Sequence, residues 1–274
     1  MPEASALPPL PPLREVIKRH GLSARKSLGQ CFLLDLNLTA RIGRAAALMP
    51  GQTVLEVGPG PGVLTRALLA EGTNVVAIEK DRRCLAALAE LAEHYPGQLC
   101  LVEADALEVD ETELVPAGTA IVANLPYNIA TPLLFKWFDD LGRYSAITVT
   151  LQKEVAERLA AQPRDKSYGR LSIITQWLAE VRFEFNISNE AFTPPPKVAS
   201  SVVSLTPRPV PLAPAEWESL EKVTAQAFGQ RRKMLRSSLK PLNLDFAALG
   251  VAPTARAEEL SVEQFCAIAR ACGQ

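Results

Sequence analysis

From residue 51 onward, short apolar runs alternate with stretches whose apolar residues recur every three or four positions. The runs at 54–58, 74–79, 99–103, 120–124 and 146–152 predict β-strands, and the stretches between them, such as 62–70 and 82–94, predict amphipathic helices. This alternation implies a parallel sheet covered on both faces, and right-handed crossovers make it doubly wound. Two more strands are predicted at 182–187 and 200–206. They flank 192–197 (FTPPPK), whose three prolines forbid regular structure. Two strands so close in sequence suit an antiparallel edge pair on an otherwise parallel sheet.

The flanks differ. Residues 13–20 predict a short helix stopped by Gly21, followed by a basic, irregular stretch at 23–30 (SARKSLGQ). Residues 1–12 are proline-rich, lack the basic start and apolar stretch of a signal peptide, and read as an extended tail. The run 207–214 (PRPVPLAP), with four prolines, reads as a stiff linker. Beyond it Trp217, Leu220, Val223 and Ala227 recur at helical spacing. The expected plan is a tail and short helix over 1–24, an α/β domain over 25–208 and a small all-α domain over 209–274.

Composition narrows the function classes. Hydrophobic residues make up 48% of the 274 positions and charged residues 22%, as in an ordinary globular chain. No apolar run approaches the roughly 18 residues that span a bilayer, so no membrane association is expected. The five cysteines form no C-x-x-C pair and there are two histidines, so neither a metal site nor a disulfide framework is expected, and the compartment expected is the reducing cytoplasm. Nothing in the sequence demands more than a monomer. A net charge of −1 runs against the excess of positive charge usual in nucleic-acid binders. However, charge is segregated: 230–240 (QRRKMLRSSLK) holds five basic residues and no acid, which suits either a solvated helix face or a phosphate contact.

The first strand runs into EVGPGPG at 56–62. Gly58, Gly60 and Gly62 let the backbone turn tightly and approach a ligand, directly before a helix N-terminus. The next strand ends in Glu79, where Rossmann-type folds place a carboxylate on ribose hydroxyls. Asp105, after the third strand, suits an adenine amino group, which donates hydrogen bonds. NAD and S-adenosylmethionine both fit this far. The glycine spacing departs from G-x-G-x-x-G, and Glu56 precedes the turn, where an acid favours a cofactor carrying an ammonium and a sulfonium. Both features lean towards the methyl donor.

The fourth strand ends in NLPY, 124–127. An adenine amino nitrogen is a poor nucleophile because its lone pair is conjugated into the ring. The Asn124 side-chain oxygen and a backbone carbonyl from the following residues, Leu125 and Pro126, can accept its two N–H groups, favour pyramidalisation and aim the lone pair. Tyr127 offers a face for stacking the base, worth about 1–3 kcal/mol. Catalysis would then come from orientation and electrostatics without a strong general base. Phe192, before the prolines, suits a second stacking face or, equally, a core position closing the sheet edge.

Together these segments resemble the KsgA-type small-subunit ribosomal RNA adenine dimethyltransferases. The matching stretches are RKSLGQCFL (25–33), EVGPGPG, the Glu79 strand end, Asp105 with Ala106, NLPYNIATPLL (124–134), LQKEVAERL (151–159), YGRLS (168–172), FTPPPKVASSVV (192–203) and AFGQRRKMLRSSL (227–239). The resemblance implies a class I methyltransferase fold with a helical C-terminal domain, and dimethylation at N6 of two adjacent adenosines near the 3′ end of 16S rRNA in the small subunit. It places cofactor contacts at Cys31, Leu33, Gly58, Glu79, Asp105 and Asn124, to which the turn and strand ends add Glu56, Gly60 and Ala106. It also makes Arg25, Lys26, Arg231, Arg232, Lys233 and Arg236 candidate RNA contacts. Cys31 departs from the family's usual asparagine, and a thiol is the weaker hydrogen-bonding group. A large-subunit rRNA methyltransferase of the antibiotic-resistance type shares the NLPY-like and glycine-turn motifs, and a non-catalytic assembly factor shares the fold. The FTPPPKV and GQRRK segments favour the small-subunit enzyme, and intact Asn124, Glu79 and Asp105 favour catalysis.

Overall fold

The computed structural model describes residues 10–25 and 28–272. Most of the expected tail, and Lys26, therefore lie outside the described residues. By packing, the chain divides into two compact units, 1–152 with 184–204, and 153–183 with 205–274.

The first unit opens with α1 (Leu13–Arg19), which ends at His20 before Gly21. A two-residue strand, β1 (Phe32–Leu33), leads to α2 (Leu36–Ala45). The Asp35 carboxylate caps that helix, accepting from the amides of Asn37 at 2.8 Å and Leu38 at 3.1 Å. Strand and helix then alternate through β2 (Thr53–Val57), α3 (Val63–Ala70), β3 (Asn74–Glu79), α4 (Arg82–His94), β4 (Leu99–Glu103), β5 (Thr119–Asn124), α5 (Tyr127–Phe138) and β6 (Tyr144–Gln152). Three late strands follow: β7 (Ala179–Ile187), β8 (Phe192–Thr193) and β9 (Ser200–Pro207).

Seven strands form one sheet in the order β4-β3-β2-β5-β6-β9-β7. β2 pairs in parallel with β3 and β5, β3 with β4, and β5 with β6. The order reverses at β2, so chain growth proceeds outward in both directions from the glycine turn. Central β2 and β5 are buried almost throughout, as strands covered on both faces must be, whereas edge strand β4 is half exposed. The late pair runs antiparallel, as expected: Ser201 donates to the Asn186 side chain at one end and the Arg208 amide to the Leu178 carbonyl at the other. β9 lies inside β7, so β7 alone forms that edge. β1 and β8 pair separately as a two-residue antiparallel ribbon, with Leu33 opposite Phe192.

The second unit is built on α6 (Lys153–Ala160), α7 (Arg170–Leu178), α8 (Trp217–Gly229), α9 (Leu235–Ser238) and α10 (Val262–Cys272). The residues 153–183, placed by the sequence pattern with the α/β domain, pack here with the C-terminal helices. Tyr168 is fully buried and its hydroxyl donates to the Leu260 carbonyl at 2.9 Å. Phe228 stacks on Phe265 with ring centroids 5.7 Å apart. The proline-rich 207–214, expected as a linker, is stitched to the end of α7: Leu212 donates its amide to the Trp177 carbonyl, and the Trp177 indole donates to the Ala213 carbonyl. The C-terminal part is also less continuously helical than its periodicity suggests. Residues 243–256 carry no helix, because Pro253 and the left-handed Asn243 interrupt the pattern. Among the described residues, no helix is long and apolar enough to cross a membrane.

Gly62 shows how tightly the turn after β2 is specified. Its φ is +84°, and a Cβ there would lie 2.9 Å from Leu88 Cδ2. Gly62→Ala therefore meets backbone strain and a packed core together. We expect a loss of about 1–3 kcal/mol of stability, read as a lowered denaturant midpoint with an unchanged slope.

Candidate active site

The C-terminal ends of β2, β3, β4 and β5 open into one cavity of about 230 Å³ in the first unit. Its walls include Cys31, Leu33, Glu56, Gly58, Gly60, Glu79, Asp105, Ala106, Asn124, Leu125, Pro126, Tyr127 and Phe192. Every cofactor and catalytic candidate read from the sequence therefore reaches the same space, although these residues are scattered over 162 positions of chain.

The glycine turn is held by an acid. Gly58, Gly60 and Gly62 all have positive φ, and the Gly60 amide donates to Glu79 Oε2 at 2.9 Å. The other Glu79 oxygen accepts from the Asp81 amide at 2.7 Å. Each oxygen keeps a second lone pair, which is the capacity a ribose diol needs. Burial pushes the Glu79 carboxyl up from its ordinary pKa, partly offset by these amides.

Glu56 is the electrostatic anomaly. It is 1% exposed, and among the described residues neither carboxylate oxygen has a hydrogen-bond partner. Burial raises its pKa from 4.5 to about 8, tempered by nearby Thr65 and reinforced by Glu79. An orphaned buried acid in a cavity wall keeps its proton unless something positive arrives. An α-ammonium on the ligand fits that requirement, and the turn leaves the room a backbone-hugging ligand needs. Among the described residues, no group of histidine, cysteine and acidic side chains is placed to hold a metal ion.

Asp105 is the most solvated of the three acids. Lys80 Nζ lies 2.5 Å from its Oδ2, and Oδ1 accepts from the Leu107 amide at 3.0 Å. The Lys80 hydrogen bond, then that amide, hold its carboxyl below the usual range. Lys136 of α5 donates to the Ala106 carbonyl at 2.7 Å and to the Val109 carbonyl, and pairs with Glu111 at 2.8 Å. Lys80 and Lys136 thus shape the loop after β4. Neither was singled out from the sequence, since a strand-end lysine and a mid-helix lysine carry no local signal.

At the end of β5, Asn124 lines the cavity. Tyr127 opens α5, and Pro126 precedes it where a missing N–H costs nothing. The Tyr127 hydroxyl lies 2.6 Å from Ser200 Oγ. Phe192 stands in the cavity wall but is 2% exposed and belongs to the core behind it, so here its ring is covered. The ribbon of β1 and β8 places it against Leu33. Cys31 is half-buried beside them, and burial raises its thiol pKa.

The N-terminal segment is pinned over the cavity by a network that sequence reasoning missed. Gln30 donates to Asp81 at 3.2 Å and accepts from the Arg25 amide, while Arg83 grips Asp81 at 2.6 Å and reaches the Ser23 carbonyl. Chiefly through Arg83, the Asp81 carboxyl is drawn down to about 2. Gly29, at φ +65°, comes so close that a Cβ would lie 2.1 Å from Asn128 Oδ1. Arg25 is exposed; Lys26 lies outside the described residues.

In the second unit, Arg232, Lys233 and Arg236 are exposed. Arg231 differs from its neighbours. Its guanidinium pairs with Glu258 at 2.7 Å and donates to the Lys166 carbonyl at 2.8 Å, so it braces the fold.

A doubly wound sheet with a glycine turn, successive strand-end acids and a strand-end Asn-Leu-Pro-Tyr defines a class I methyltransferase. The family model "Ribosomal RNA adenine dimethylase" matches residues 21–273. The chain is 58% identical over 266 residues to "Ribosomal RNA small subunit methyltransferase A" of Rhodospirillum rubrum, covering 96% of this chain and 92% of that one. It is 60% identical to the protein of the same name from Paramagnetospirillum magneticum, covering 96% and 95%. The chain belongs to the ribosomal RNA adenine dimethylase family. Among solved structures, the 23S rRNA methyltransferase ErmE superposes with a TM-score of 0.68 at 28% identity, covering 89% of this chain and 100% of that one. A dimethyladenosine transferase from Plasmodium falciparum shares the fold, with a TM-score of 0.72 at 24% identity over 85% and 94% of the two chains.

Between pH 4.5 and about 8, Glu56 is ionised in the unfolded chain and protonated in the fold. Its stabilising contribution is therefore complete below the lower value and lost as pH rises through that window. Glu79 acts in the same sense. We expect Glu56→Gln to flatten part of the decline in stability across this range, measured as denaturant midpoints at successive pH values. A variant as pH-dependent as the wild type would contradict the assignment.

Proposed function

We propose that this chain is an S-adenosylmethionine-dependent enzyme that dimethylates N6 of two adjacent adenosines near the 3′ end of 16S rRNA. It acts on the small ribosomal subunit or its precursor, as a cytoplasmic monomer with a part in subunit biogenesis. The observation that carries this reading is the convergence of Asn124 and Tyr127 with the unpartnered Glu56 in one cavity. The identities of 58% and 60% to small-subunit methyltransferases, against 28% to the 23S enzyme, favour the small subunit as substrate.

The cofactor, when bound, supplies an electrophilic methyl group on a sulfonium. Glu56 meets the ammonium of its methionine part, Glu79 the ribose hydroxyls, and Asp105 the adenine amino group. Cys31 and Leu33 close the cavity from the N-terminal side. Asn124 holds the target amine through its side-chain oxygen, with a carbonyl from the Leu125–Pro126 turn as the second acceptor, so both N–H groups are directed and the lone pair is exposed. Tyr127 supports the base by stacking, and Phe192 backs the slot from the core. The proton leaves after transfer, so no strong base has to be held at the site.

Because Asn124 acts on the target amine, Asn124→Ala should reduce transfer of labelled methyl to under-methylated small subunits by about a thousandfold. Cofactor affinity should change only a few-fold. Label at the paired 3′-terminal adenosines supports the reading, whereas label in 23S rRNA or none at all overturns it.

Phosphate contact is assigned to the exposed Arg232, Lys233, Arg236 and Arg25, and, from the sequence alone, to Lys26. Arg231 is the weaker candidate because its side chain is already engaged. Reversing Arg232, Lys233 and Arg236 to glutamate should weaken subunit binding and reduce its salt dependence, leaving cofactor affinity intact. Unchanged binding across a salt series would remove this patch from the interface.

A further inference from the structure

We infer that Ser200 is a positioning residue for methyl transfer, fixing the ring of Tyr127 at the angle at which it supports the target adenine. The inference rests on the reading of Tyr127 as the stacking face.

Tyr127 is only partly buried and sits at the first turn of α5, where helix ends fray. Its ring has two torsions, and it lines the cavity wall. A base stacked on it gains energy only if the ring is already held parallel to the slot, and a ring that must first be ordered gives part of that gain back. A restraint is present at the phenol tip. Ser200 Oγ lies 2.6 Å from the Tyr127 hydroxyl, and Ser200 is fully buried. Water does not compete for so deeply buried a hydroxyl, which makes it a firm anchor.

The position of Ser200 in the chain matters too. It is the first residue of β9, directly after the proline-rich loop that begins at Phe192. The hydroxyl therefore ties the Tyr127 side of the slot to the end of the segment that carries the Phe192 side. Neighbouring hydroxyls on β9 bond elsewhere: Ser201 reaches Asn186, and Ser204 reaches Thr148 at 3.0 Å. Those bonds join sheet strands to one another, and of the three only that of Ser200 leads to a side chain lining the cavity.

The test breaks the bond from each end. Ser200→Ala and Tyr127→Phe each remove one hydroxyl and keep the aromatic face. Both should lower kcat on under-methylated small subunits by about tenfold. KM for subunits, Kd for cofactor and the unfolding midpoint should stay near wild-type values. The double variant should be no slower than either single one, because one interaction has been removed twice. Wild-type kcat in Ser200→Ala, multiplying losses in the double variant, or a loss confined to stability would overturn the inference. Tyr127→Ala separates the two levels. If it is inactive while Ser200→Ala is normal, the positioning role fails and the stacking face stands; if it keeps full turnover, the stacking face itself is wrong.

Discussion

The Glu79 carboxylate reaching back to the Gly60 amide is the bond on which the site's geometry rests. A turn with three left-handed glycines has little conformational preference of its own, and in isolation it would sample many shapes. Tying it to the last residue of the neighbouring strand makes the ends of β2 and β3 one rigid lip. The second Glu79 oxygen holds the Asp81 amide, and Asp81 in turn holds Gln30 and Arg83. One buried acid therefore organises the turn, the start of α4 and the N-terminal segment above the cavity.

The three acids around the cavity are tuned apart by their surroundings. Glu56 is buried without a partner, Glu79 is buried with backbone donors, and Asp105 is semi-exposed with a lysine. The ordering from neutral to firmly ionised follows burial and partner charge.

Much of this was legible in the sequence because the periodicities were long and clean. The strands at 74–79 and 99–103 and the helix at 82–94 coincide with the observed elements, and the strand-end residues Glu79, Asp105 and Asn124 fall where alternation puts them. What was not legible is long-range. No local signal announces that 32–33 pairs with 192–193, that Lys136 reaches back to the carbonyls after β4, or that residues 153–183 pack with helices beyond 215. Arg231 was read as one member of a basic run, but its partner Glu258 is 27 residues away. Phe192 suited both a stacking face and a core position, and its burial shows the second.

The small ribbon of Phe32–Leu33 with Phe192–Thr193 has a consequence for biosynthesis. It closes a loop of about 160 residues for only two residue pairs, so it cannot form early; the entropy of joining such distant points is recovered only once the sheet between them stands. A nascent chain that has emerged through β6 already carries the glycine turn and the strand-end acids but lacks one wall of the cavity. The cavity is thus sealed only after the proline-rich loop leaves the translating ribosome.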